Sequence, residues 1–549
     1  MDHAFYRQAV GAALADPALH FHDEGWKSGH DPNTWFDCAW YLRTYPDIAD
    51  AGLDPFLHFL SHGAAEGRMA HAATGRGAAI LAAAVAAADR RPGYDAPADA
   101  SHLADGALRA ALAHALQDAT GLAVAVNHDR YVDVTGGMQV LIAAEQVLFQ
   151  DAGVAYLHVS PAVSRLTLGR ADEIAALLQV VLDGRFLGLA TDAALSAALQ
   201  ATLDSTPAAR VLPKVLAVHS VFGHRTPALA ALAAALRPQH SYFWLHDYAS
   251  LCEGFNLLRN DLSYCHAPPP GSMACRVCIH GDSRPRYLAE LRTLFDAVPF
   301  HVVAPSRATL DIWLGATDLP WLTARVHGNA RLGEPRPVPP RGARGTRANP
   351  VRVAFAGYPM SHKGWPAFLD LLRAAGFMAG YRFHHFAAPD TLPALDALVS
   401  VPTKVTVADR RAMTRALEVH QIDLLLMLSP WPETFSYVAH EGLAAGCDLV
   451  ALDVGGNLPN LVRGQDRGVV LAGTAELLAY FTSGQAIADV RAREAAGRHA
   501  CDLLASGTSA TLDPAALQSP DPAPTAAGVP ILRPPPARPT PVTVPAVAG

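Results

Sequence analysis

The chain has 549 residues, 51% of them apolar and 17% charged, which is enough for several domains with buried cores and excludes wholesale disorder. Forty-three Lys and Arg against 50 Asp and Glu leave a net charge of −7, which argues against a nucleic-acid partner gripped through its phosphates. Seven cysteines, an odd and scattered set, suit a reducing compartment better than a disulfide scaffold, and the start Met1-Asp2-His3 has no basic region and apolar run, so a cytoplasmic protein is expected.

An internal repeat opens the chain. Asp16-Pro17-Ala18-Leu19-His20-Phe21 returns 38 residues later as Asp54-Pro55-Phe56-Leu57-His58-Phe59, with Gly25 and Gly29 returning as Gly63 and Gly67. Each copy reads as a short helix with Asp as N-cap and Pro in the first turn, stopped by glycine, and the copies are expected to pack on one another. This assigns 1–75 to a small helical module and 76–118 to an Ala-rich linker that becomes helical near Leu108 to Leu116. The apolar run Ala78 to Ala88 is about half the length that spans a bilayer.

From 119 to 340, apolar β-branched runs alternate with helical stretches: Leu122–Asn127, Val154–Val159, Phe186–Ala190, Val215–Val218, Tyr242–Leu245 and Phe300–Ala304. Such alternation predicts a parallel sheet covered by helices on both faces. Within it, a Pro- and Gly-rich stretch over 252–282 holds Cys252, Cys265, Cys275 and Cys278, ending in Cys-x2-Cys. Four thiolates can replace a missing core by binding zinc tetrahedrally, so this insertion reads as a structural zinc site or as four free thiols.

Six arginines and four prolines between Arg331 and Pro350 and at Arg352, against the single acid Glu334, read as a solvated interdomain linker. A second series follows over 341–505, with strands expected at Val351–Ala356, Tyr381–Phe386, Lys404–Val407, Asp423–Leu428, Asp448–Leu452 and Gly468–Leu471. Two doubly wound α/β domains in tandem are therefore expected. The Pro-, Ala- and Thr-rich stretch 506–549 is expected to be disordered.

The chemistry concentrates where the run Leu424 to Leu428 opens into Ser429-Pro430-Trp431-Pro432-Glu433-Thr434-Phe435-Ser436, ahead of a helix expected from Ser436 to Ala445. Ligands of open α/β sheets sit at the carboxyl ends of strands, where free N–H groups of a helix start favour an anion. Glu433 at that mouth and Glu441 further along suit a sugar diphosphate, the amides holding phosphate and the carboxylates holding hydroxyls.

Glu433 and Glu441, with Ala444-Ala445-Gly446-Cys447 and Val454-Gly455-Gly456-Asn457 after them, resemble the Glu-x7-Glu signature of retaining glycosyltransferases of the GT-B fold, family 4. Val353-Ala354-Phe355-Ala356-Gly357 leading to His362-Lys363-Gly364 resembles that family's diphosphate-binding loop, but Tyr358 stands where a basic residue is usual, leaving Lys363 to supply the charge. Gly136-Gly137-Met138-Gln139 resembles the glycine loop of the N-terminal domain, and His246-Asp247 resembles the pair placed near the acceptor. A lone His-Asp is as often a structural hydrogen bond.

The resemblance covers residues 120–503 and implies transfer of a sugar from a nucleotide-sugar donor to a glycan or lipid-linked glycan acceptor. It implies Glu433, Lys363 and His246 as the reacting set, and Glu441, Gly136, Gly137, Gly357, Thr434, Phe435 and Ser436 as donor-binding residues. The repeats, with Trp40 to Asp47 and His62 to Arg68, resemble a module attached to transferases of bacterial surface polysaccharide, which implies peripheral contact with the inner membrane and a protein partner. No Asp-x-Asp, P-loop or Gly-x-Gly-x2-Gly occurs, so no catalytic metal, NTPase site or NAD site is expected. A non-catalytic glycan-binding assembly protein and a sugar-nucleotide epimerase are the rival readings.

Overall fold

The computed structural model describes all residues except 12–13, 91–92, 94, 134–135, 171–175, 407, 506–530 and 533–549. The first 70 residues form the helical repeat. Asp16 accepts from the amides of Ala18 and Leu19 at 2.9 and 3.1 Å, and Asp54 from those of Phe56 and Leu57 at 2.9 and 3.0 Å, so both copies start with the expected cap. A tyrosine outside the repeated motif explains its glycines. Tyr6 is hydrogen-bonded to His20 at 2.9 Å and Tyr41 to His58 at 3.0 Å, and a Cβ on Gly25 or Gly63 would strike the respective tyrosine hydroxyl. The copies meet through Phe21 and Phe56, with centroids 6.1 Å apart in an edge-on contact. After the linker, the helix forecast near Leu108 spans Asp105–Ala115 and buries Leu108 and Leu112.

The first large domain carries six parallel strands in the spatial order Thr323–Val326, His301–Ala304, His240–Trp244, Lys214–Val218, Gly121–Val126 and Val154–Pro161. The run around Phe186 departs from the parallel expectation. Arg185–Thr191 pairs antiparallel with Leu177–Leu182, which in turn pairs antiparallel with Val154–Pro161. Asp183 and Gly184, at φ of 50° and 80°, form the tight turn whose twist suits a two-residue hairpin, a connection too short for any parallel crossover. Ile531–Leu532 pairs with Thr323 and Ala324 at the opposite edge; otherwise the expected disordered tail lies outside the described residues.

The second domain has six strands, all parallel, ordered Leu398–Pro402, Tyr381–Ala387, Val351–Ala356, Leu424–Met427, Asp448–Leu452 and Gly468–Leu471. In chain order this is 3-2-1-4-5-6, which places the topological switch between Val351–Ala356 and Leu424–Met427. The strand forecast at Lys404–Val407 lies earlier, at Leu398–Pro402; Pro402 is accepted there because this is an edge strand, and Val407 lies outside the described residues. Two α/β domains therefore face one cleft, as the two strand-helix series predict.

The arginine-rich segment is solvated only in part: Arg331, Arg336 and Arg347 are exposed, but others turn inward. Arg344 is buried and the side chain of Arg341 is only 6% exposed, each 3.2 Å from Asp423, and the buried Arg498 reaches the same carboxylate at 3.3 Å. The chain also returns to this segment: Leu503–Ala505 pairs with Ala330–Leu332, and His499–Ala500 with Arg336–Pro337. Spacing along the sequence could not show that a buried aspartate 82 residues beyond Arg341 draws these guanidiniums inward.

Candidate active site

A cavity of about 570 Å³ opens between the domains, at the switch point of the second sheet. The first domain contributes Gly136, Gly137 and Asn329, and the second contributes Gly357, Lys363, Glu433, Ser436 and Glu441. Each is held there by its local chain. Gly357 follows the Val351–Ala356 strand at φ 110°, a conformation that glycine tolerates best. Gly364 turns the Lys363 loop at φ 85°, and a Cβ on it would run into the Leu428 carbonyl, so only glycine lets Lys363 approach the neighbouring strand end. Gly137 opens the Gly137–Asp151 helix; a Cβ there would lie 2.9 Å from the Tyr437 ring of the other domain.

The carboxylates differ in their surroundings. Glu433, 4% exposed, accepts from Lys363 Nζ at 2.9 Å and from Ser429 Oγ at 2.5 Å. Burial alone would raise its pKa, but the Lys363 ammonium and the Ser429 and Ser436 hydroxyls outweigh burial and hold it below the usual glutamate value. Glu441, 5% exposed, has no hydrogen bond or ion pair to its side chain among the described residues, and burial pushes its pKa up to about 7. An ionised and a half-protonated carboxyl therefore share one cleft, the pattern of a site that binds or transforms something polar. Ser436 caps the Tyr437–Ala444 helix at φ 72°, a strained backbone for a residue with a side chain, at the point where the helix presents free N–H groups to the cleft.

Not every expected residue lines the cavity. Thr434 and Phe435 do not; they fasten the loop behind it. Thr434 Oγ1 donates to the His246 carbonyl at 2.6 Å, Thr309 Oγ1 donates to the Thr434 carbonyl at 3.1 Å, and Phe435 stacks on His440 at 4.2 Å. With Tyr248 Oη donating to the Pro432 carbonyl at 3.0 Å, these bonds tie the Glu433 loop to the first domain.

His246 also lies outside the cavity lining, in a triangle of near-parallel rings in which Trp244 and His219 each stand 5.3 Å from it and 5.7 Å from one another. His246 Nε2 is 3.1 Å from His219 Nδ1, and His219 Nε2 stands 3.4 Å from the fully buried Glu145. Burial holds the His246 pKa well below its ordinary value. The ring is thus neutral with one nitrogen already engaged. Its neighbours went unnoticed in the sequence, although an acid at Glu145, on the buried side of a helix with Leu141, Ile142 and Phe149, is a readable signal.

The zinc expectation is not supported. Cys252, Cys265, Cys275 and Cys278 all line a small cavity of about 20 Å³, but among the described residues no group of three or more His, Cys, Asp or Glu is arranged to hold a metal ion. Instead, the buried Arg284 donates to Cys275 Sγ at 3.3 Å and to the Leu251 and Pro268 carbonyls at 2.8 and 2.6 Å, and burial pushes the Cys252 thiol up to about 12. The guanidinium supplies polar cross-links that the Pro- and Gly-rich chain lacks. Sequence reasoning also missed Lys404, Arg410, Arg411 and Tyr437 as cleft residues; the basic pair after Asp409, just ahead of the Ala412–Val419 helix, was the available signal. Among the described residues no helix is long and apolar enough to cross a membrane.

A scan against protein-family models and a search of the curated proteins find no match. Among solved structures, the chain is similar to HepE of Anabaena in complex with UDP and glucose, at 14% identity and a TM-score of 0.39, covering 68% of this chain and 92% of that one. It is similar to α,α-trehalose 6-phosphate synthase of Burkholderia multivorans, at 13% identity and a TM-score of 0.38, covering 68% and 91%. It is also similar to WaaG, a glycosyltransferase involved in lipopolysaccharide biosynthesis, at 12% identity and a TM-score of 0.37, covering 67% and 92%.

Proposed function

We propose that the protein is a retaining glycosyltransferase that moves a sugar from a nucleotide-sugar donor to a glycan or lipid-linked glycan acceptor. The observation that carries this reading is the pairing of Glu433 and Glu441, in opposite electrostatic surroundings, at the mouth of the Tyr437–Ala444 helix. In the reaction the bond from the sugar C1 to the diphosphate oxygen breaks, a bond from the acceptor oxygen to C1 forms, and the acceptor hydroxyl proton is released to water. The nucleoside diphosphate departs with the added negative charge. Lys363 and the amides at the start of the helix would stabilise that charge as it develops.

Glu441 would hold the ribose hydroxyls, since a carboxyl that titrates near neutrality both donates and accepts hydrogen bonds. Glu433, ionised and oriented by Lys363 and Ser429, would accept from hydroxyls of the donor sugar. The neutral His246 would stand on the acceptor side. The surface-polysaccharide setting, inner-membrane contact and recruitment of a partner by residues 1–75 belong to the same proposal and follow from the sequence resemblance.

One observation favours the assembly-protein alternative: Lys363 is already bonded to Glu433, and Tyr358 leaves its loop without a second charge. Thermal melts with a panel of nucleotide sugars, followed by release of labelled sugar to glycan acceptors, decide between the two. The transferase reading expects at least one donor to raise the melting temperature and to be turned over; glycan binding with no donor response would establish the alternative.

A further inference from the structure

Four cations line the cleft: Lys363, Lys404, Arg410 and Arg411. Two are engaged, Lys363 by Glu433 at 2.9 Å and Arg411 by Asp502 at 3.6 Å. Arg410 is half-buried and makes no hydrogen bond or ion pair among the described residues; Lys404 is likewise unpaired there but exposed. Arg410 leaves the loop between the Leu398–Pro402 strand and the Ala412–Val419 helix. Its charge acts on the Tyr437 hydroxyl, against the upward push of burial on that group. Tyr437 is the first residue of the Tyr437–Ala444 helix, and its ring lies against Gly137, the first residue of the Gly137–Asp151 helix. Arg410 therefore stands beside the place where two helix starts from two domains converge.

We propose that Arg410 is the residue that grips the diphosphate of the donor, supplying from the 403–411 loop the charge that Tyr358 does not. This rests on the glycosyltransferase reading. A diphosphate brings several negative charges into a cleft that already holds two buried carboxylates, so it needs a cation with unused donors. Lys363 shares its charge with Glu433, whereas the Arg410 guanidinium offers a planar fork of N–H groups that matches phosphate oxygens. The half-buried setting screens this interaction less than an exposed lysine would be screened, which sets Arg410 above Lys404.

The test titrates UDP, GDP, ADP, CDP and dTDP into the full chain by calorimetry, for wild type, Arg410→Gln, Arg410→Lys and Lys404→Gln. Wild type is expected to bind at least one of the five. Arg410→Gln should bind that nucleotide about 10- to 100-fold more weakly, the range of a lost charge-assisted hydrogen bond, and with a shallower salt dependence. Arg410→Lys should recover part of the loss, and Lys404→Gln should lose less than Arg410→Gln. Where Gln lowers the ligand-free melting temperature, Arg410→Met keeps the aliphatic stem beside Tyr437 and replaces it in the series. Wild-type affinity in the neutral Arg410 variants, or an equal loss in Lys404→Gln, overturns the assignment while leaving the transferase reading intact. Failure of wild type to bind any of the five nucleotides overturns both.

Discussion

Glu441 makes the cleft unstable in a way that pH reveals. Burial lifts its pKa from 4.5 to about 7 with no charge partner to oppose it. A carboxyl raised in the folded state contributes stability that is fully present below the unfolded value of 4.5 and is lost as pH climbs through the folded value near 7. The shift of about 2.5 units, at 1.36 kcal/mol per unit, corresponds to about 3 kcal/mol. Glu441→Gln keeps the shape and removes the ionisation. Its melting temperature should match wild type near pH 4.5 and exceed it at pH 8, by roughly 6 to 12 °C for a domain of this size. The assay is thermal melting of both proteins at half-unit steps from pH 4.5 to 8, and the difference between them isolates this group from all other titrations. A difference that does not change with pH would refute the reasoning, because the penalty arises only from burying the charge. The same variant should bind nucleotide sugar more weakly, so a gain in stability bought with a loss of ligand affinity is the combined signature.

Other outcomes follow from the same structure. Lys363→Ala should lower kcat by roughly 10²-fold, the scale of an oxyanion-site deletion, with a smaller change in donor affinity; donor turnover under saturating conditions measures it, and wild-type kcat would remove Lys363 from the leaving-group role. Asp423→Ala should cost about 3–5 kcal/mol, because it leaves the guanidiniums of Arg341, Arg344 and Arg498 buried without their carboxylate. Urea unfolding followed by far-UV circular dichroism measures that loss, and a midpoint equal to wild type would show that the cluster does not hold the interdomain segment.

What was legible in the sequence is what local chemistry dictates. The repeat caps at Asp16 and Asp54, the strands Val351–Ala356, Asp448–Leu452 and Gly468–Leu471, and the Glu433 loop ahead of its helix all stand where apolar runs and capping residues placed them, because strand periodicity and helix starts are decided within a few residues. Tertiary structure alone decided the rest. The hairpin at Asp183-Gly184 turned an expected parallel strand antiparallel, since pairing partner and direction depend on the neighbouring strand. Asp423 buried arginines that composition assigned to solvent, and the meeting of Gly137 with Tyr437 brought helix starts 300 residues apart in sequence to one cleft, with Arg410 beside them. Thr434 and His246 stand behind the cavity lining for the same reason: a side chain's partners across a domain boundary are set by the packing of whole sheets, and no spacing along the chain encodes that distance.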